Sequence, residues 1–94
     1  MDKRLIDKVG PYQKGLSILK ELNPVSFSSK GNNNRLHVGL ISQDVQQLEP
    51  LAVDKNQNGL LILEYEKLIG ILINSIKELS NEVDNLKAKE KKKR

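Results

Sequence analysis

Ninety-four residues suffice for one small domain and exclude two cooperating large ones. Only 37% are apolar, the aromatics are Tyr12, Phe27 and Tyr65 alone, and there is no cysteine, so a thin core of Leu, Ile and Val must carry the fold without disulfides or thiolate-held metal. The formal charge of +4 is uneven: Lys87 to Arg94 hold six of the 16 basic residues and one of the 12 acidic ones, leaving 10 basic against 11 acidic in the rest. The body is near neutral and the basic run is a solvated tail, which weighs against nucleic acid as a partner. No uncharged apolar run nears the ~18 residues of a membrane span, and no apolar signal stretch follows Met1-Asp2-Lys3-Arg4; a soluble chain is expected.

Residues 1 to 10 are polar and lead to Pro11, well placed to open a helix over about 11–22. Tyr12, Leu16, Leu19 and Leu22 would share its inner face, with Ile18 beside it and Lys14, Lys20 and Glu21 turned to water, until Asn23-Pro24 stops it. Val25 to Ser28 alternate as a half-buried strand does. A Gly/Asn loop, Ser29 to Asn34, joins them to a second strand over about 35–41, and the two make a hairpin. Ser42 is suited to cap a short helix over about 43–49, with Val45 and Leu48 inward and Pro50 closing it. Leu51 to Asp54 and Leu60 to Glu64 then form a second hairpin, its turn signalled by Asn58-Gly59.

One long helix runs from about Glu64 to the end. Tyr65, Ile69, Leu72, Ile76, Leu79, Val83 and Leu86 are spaced 4, 3, 4, 3, 4 and 3 residues apart, a heptad seam with Ile69, Ile76 and Val83 at a and the other four at d. Beyond Ile76 only the seam is apolar, while Lys77, Glu78, Asn81, Glu82, Asp84 and Asn85 are polar, so that half is built to meet identical helices. Earlier, Leu68, Ile71 and Ile73 widen the apolar face, and the body should bury that half as well. The fold expected is α+β: a body of helices and two hairpins over 1–63, then a coiled-coil helix with a basic tail over 64–94.

Catalytic material is sparse. His37 stands mid-strand without a second ligand spaced for metal, and a lone strand histidine is more often a structural residue than a base. The six glycines form no phosphate loop, and carboxylate pairs such as Asp2 with Asp7 or Glu64 with Glu66 lie on polar stretches. No metal or cofactor is expected.

Taken in order, Asp2-Lys3-Arg4-Leu5, Leu22-Asn23-Pro24-Val25-Ser26-Phe27, His37-Val38-Gly39-Leu40-Ile41-Ser42-Gln43-Asp44-Val45, Glu49-Pro50 and Tyr65-Glu66-Lys67-Leu68-Ile69 form a pattern. It resembles the C-terminal intramolecular chaperone auto-processing domain of phage endosialidase tailspikes, tail fibres and neck appendages, found also in the myelin regulatory factor type of transcription factor. The resemblance implies a homotrimer that aligns three chains, helps an upstream β-rich stalk of the same polypeptide to fold, and is then cut off by a serine-lysine dyad in a Ser-Asp-x-Arg-x-Lys motif. Here Asp2 and Arg4 match that motif, whereas Met1 stands at the serine and Ile6 at the lysine. A dyad lysine must be held neutral, a shift of ~3 pKa units costing ~4 kcal/mol, and isoleucine has no lone pair to offer. Lys8, two residues away, is a poor substitute.

Isoleucine at a with leucine at d by itself favours two strands. The resemblance implies three, and the flanking Leu68, Ile71 and Ile73 favour that count, with dimer as the alternative. Gly39 would allow close approach to a neighbouring chain, and Gln43 would offer it a donor and an acceptor. The place implied is a virion tail or appendage, made in the host cytoplasm. Two other readings stand beside it: a free-standing oligomerisation or adaptor module docking its basic tail on an acidic partner or nucleic acid, and an active self-cleaving protease separated from its upstream half.

Overall fold

A computed structural model describes residues 1–31 and 34–92, with principal extents of 62 × 41 × 22 Å. Parts of the Ser29 to Asn34 loop and of the basic tail, residues 32–33 and 93–94, lie outside the described residues. Residues 1–10 are exposed throughout. Asp2 caps a 3-10 turn over Lys3–Leu5 by accepting from the Arg4 backbone N–H at 2.9 Å.

The helix expected over 11–22 is instead a short α1 at Leu16–Leu19, preceded by non-helical chain. Tertiary hydrogen bonds outcompete the local pattern. A helix opening at Pro11 would need the Tyr12 and Lys14 carbonyls for its own ladder, but both accept from Asn74 Nδ2, at 2.9 and 2.8 Å. The first N–H of α1, from Leu16, donates to Glu78 at 2.9 Å. The face named from the spacing is kept in part, since Ile18, Leu19 and Leu22 pack against the core.

Strands β1 (Val25–Ser28) and β2 (Leu36–Gly39) pair antiparallel, with Phe27 opposite His37 and Val25 opposite Gly39. Helix α2 spans Ser42–Leu48; Ser42 is its first helical residue, and Ile41 occupies the cap position without a side-chain bond. Leu51 falls in a 3-10 turn over Pro50–Ala52 and not in a strand, because Pro50 fixes a helical φ and Glu49 caps the turn by accepting from the Leu51 N–H at 2.9 Å. The second hairpin pairs β3 (Val53–Lys55) with β4 (Leu61–Leu63) in the register Val53 to Leu63. Its turn is organised by Asn56, whose Oδ1 accepts from the N–H of Asn58 and of Leu60, both at 2.9 Å, while Gly59 adopts φ +79°.

A 3-10 turn at Tyr65–Leu68 leads into α3, Ile69–Lys92, 24 residues long and hence about 36 Å. Val45, Ala52, Leu68 and Ile71 form the buried core where α2, the second hairpin and the start of the long helix meet. At roughly 1.5–3 kcal/mol for each large aliphatic side chain, so small a core is a thin reserve against chain entropy. Ser75 is also fully buried, its Oγ satisfied by donation to the Ile71 carbonyl at 2.6 Å. Ile73, grouped with Leu68 and Ile71 on sequence, is 49% exposed. The helix continues into the basic run, placing Lys89 and Lys91 in its last turns, where cations offset the carbonyl end of the dipole. The architecture is α+β, with two small hairpins and a long C-terminal helix.

Candidate functional site

All seven seam residues lie exposed on α3 or the turn before it. Tyr65, Ile69 and Leu72 are 54, 52 and 47% exposed, Ile76 66%, Leu79 45%, Val83 46% and Leu86 63%. The 3-4 spacing puts them in one stripe, distinct from the face that buries Leu68, Ile71 and Ser75. From Ile76 to Lys91 every residue is exposed. Nearer the body the stripe borders an apolar groove of about 340 Å³ lined by Tyr65, Leu68 and Leu72 together with Leu19, Leu22, Pro24 and Leu40. A contiguous stripe of large apolar side chains in water is a candidate interaction surface.

Two separated motif blocks meet within the chain. Tyr65 Oη accepts from the Leu40 N–H at 3.2 Å, and a Cβ added to Gly39 would stand 2.5 Å from that oxygen. The close approach at Gly39 therefore serves the chain's own tyrosine. His37 stacks on Phe27 with ring centroids 5.6 Å apart, the cross-strand pairing of a structural residue. Gln43 is exposed in the first turn of α2. Asp2 and Arg4 pair with each other at 2.7 Å in the exposed N-terminal turn; the guanidinium holds the Asp2 carboxyl below its ordinary value. Met1 is fully exposed and Ile6 37% exposed.

The pattern of the sequence does not bring out the polar centre of the body. Glu49 is 2% exposed and receives the Tyr12 hydroxyl, the Leu51 N–H and the Lys14 ammonium, the last at 3.3 Å; Lys14 also donates to the Leu48 carbonyl at 2.8 Å. Burial by itself would raise the Glu49 carboxyl, but the hydrogen bonds from Tyr12, Leu51 and Lys14, with the lysine charge, outweigh it and hold it below the ordinary range. Burial, then the bond to Glu49 and its charge, push the Tyr12 phenol up to about 12. Lys14 and Glu78, read from spacing as solvent-facing, are both engaged. The one available signal was Glu49 beside Pro50, a carboxylate at a turn cap.

Among the described residues no group of three His, Cys, Asp or Glu side chains is placed to hold a metal ion, and no helix is long and apolar enough to cross a membrane. A family model described as chaperone of endosialidase matches residues 2–54. The match takes in Asp2, Arg4, His37, Gly39 and Gln43 and ends before Tyr65 and the seam. No curated protein and no solved structure matches the chain.

Proposed function

The chain belongs to the chaperone-of-endosialidase family, and from that premise we propose that three copies join along the α3 seam and assist the folding of a β-rich stalk upstream in the same polypeptide, of the phage tailspike, tail-fibre or appendage kind. The observation that carries this reading is the exposed heptad stripe Tyr65 to Leu86, on a helix whose other face is occupied by its own body along the first turns. Leu68 and Ile71, taken up by the core, no longer argue for a third strand. Ile73 and the groove beside Tyr65 and Leu72 remain as flanking apolar surface, more than two helices in contact would cover. Long-range β pairing is slow and unpaired edges aggregate while they wait, so chains gathered in register gain chiefly in yield. Such a domain is made in the host cytoplasm and acts on a virion tail or appendage. Light scattering at micromolar concentration tests the count: a trimer mass is expected, a dimer mass overturns the number, and a monomer mass overturns the seam.

Self-cleavage is not part of the proposal. At the positions matching the family's dyad, Met1 supplies no hydroxyl and Ile6 no base. A longer polypeptide carrying residues upstream of Met1 should run as one intact band after expression. Met1→Ser alone should leave it intact, and only Met1→Ser with Ile6→Lys could restore cutting. Spontaneous cleavage before residue 1 would overturn this and make Lys8 the first candidate for the base.

A further inference from the structure

A single ridge of α3 grips the segment that joins the exposed N-terminal arm to α1. Gly70, Asn74 and Glu78 recur at four-residue spacing and so lie in one row along the helix. Asn74 donates to the carbonyls of Tyr12 and Lys14, and Glu78 accepts from the Leu16 N–H. The Tyr12 ring lies over Gly70, where an added Cβ would be 3.2 Å from it. Gly15 is pressed so closely on the ridge that a Cβ there would stand 2.6 Å from Glu78 Oε1 and 3.0 Å from Asn74 Cβ. From the opposite side, buried Glu49 holds the Tyr12 hydroxyl and Lys14.

We infer that Asn74 and Glu78 are positioning residues that lock the axial register between the long helix and the N-terminal arm. All three of their bonds go to main-chain atoms, so they fix where the backbone sits whatever side chains it carries. A slip of the arm by one helical turn, about 5.4 Å, would break all of them at once. The ridge is separate from the seam of Ile69, Leu72, Ile76 and Leu79, so assembly and grip use different side chains of one helix. Helices aligned by the seam would thus hold their arms at one common height, where each leads to the upstream chain. This consequence for stalk folding rests on the trimeric reading, whereas the grip lies within one chain.

The chain has no cysteine, so nitroxide labels at Gln13→Cys and Asn81→Cys, both exposed positions, report the arm-to-helix distance without background. Labelled chains are diluted in unlabelled ones so that only intrachain distances are read. With the native ridge, or with Glu78→Gln, which keeps an acceptor oxygen, one narrow distance is expected. With Asn74→Asp, which sets a carboxylate against two carbonyls, and with Glu78→Ala, the distribution should broaden and the Leu16 amide exchange about tenfold faster, the equivalent of one lost hydrogen bond. The mass by light scattering should stay unchanged. A narrow distance in both disruptive variants, or equal broadening in Glu78→Gln, overturns the grip. Expressed behind the native stalk, Asn74→Asp should lower the yield of soluble stalk trimer, and an undiminished yield overturns the register role. Ile76→Ala with Leu79→Ala should keep the narrow distance in a monomer, so failure of the seam and failure of the grip read out separately.

Discussion

On one face of α3, Ile71 and Ser75 are fully buried, and Leu68 in the turn before it is 6% exposed; on the neighbouring face Ile69, Leu72 and Ile76 stand 47 to 66% exposed with side chains no less apolar. The described residues cover the first face with α1, α2 and the second hairpin and leave the second exposed. Side-chain chemistry alone does not separate the two faces. What separates them is that a body this small can wrap one side of a helix 24 residues long, and only along its first turns. The two hairpins divide the same way: β3 and β4 contribute Val53 and Leu63 to the core surroundings, whereas β1 and β2 stand away from it, with Leu36 72% and Val38 79% exposed.

The largest effect should come from the outer face. Ile76→Ala with Leu79→Ala removes about 2 to 5 kcal/mol per site in an assembled seam, repeated in every chain, and light scattering should show monomers whose body is intact by circular dichroism. Unfolding of the body in that variant would mean that the two faces are not independent. On the inner face, Ile71→Ala should cost about 2 to 5 kcal/mol within each chain, lowering the urea midpoint while the native mass persists. A dissociated but equally stable Ile71→Ala protein would reverse the comparison.

The polar centre gives the body a pH dependence. Glu49, whose folded value is lowered from 4.5, stabilises the body above that pH, and the contribution is lost as pH falls through the folded value. Tyr12, raised from 10.0 to about 12, stabilises it as the neutral phenol below pH 10, and the contribution is lost as pH rises towards 12. Urea titrations across pH should therefore give a plateau with two falling edges. Glu49→Gln should flatten the acid edge, and an unaltered acid edge would place its origin elsewhere. The smallest effect is expected at Gly39→Ala, where the new Cβ displaces the flexible end of Tyr65 and costs the Leu40 bond, about 0.5 to 1.5 kcal/mol in the urea midpoint.

The hairpins and the long helix were legible because each is signalled locally, by alternation in Val25 to Ser28, by a Gly/Asn turn before Leu60, and by the 3-4 spacing from Tyr65 to Leu86. The motif residues were legible as blocks, yet their meeting was not: Gly39 and Tyr65 are joined only through the fold. The helix over 11–22 failed for the same kind of reason. Its spacing was genuine, but Asn74 and Glu78, some 60 residues away, offered its backbone better partners than its own next turn.

What the sequence by itself determined is whatever depends on neighbours within about a turn: strand alternation, the Asn58-Gly59 turn and the 3-4 spacing of the apolar stripe. What only the tertiary structure decided is which apolar residues are spent on the core and which are left outside. Leu68 and Ile71 went to the body and Ile73 did not, Glu49 became a buried acceptor, and Glu78, while staying exposed, holds a distant amide. Burial and hydrogen bonding are satisfied by whatever reaches a group in space, and that depends on all the elements at once.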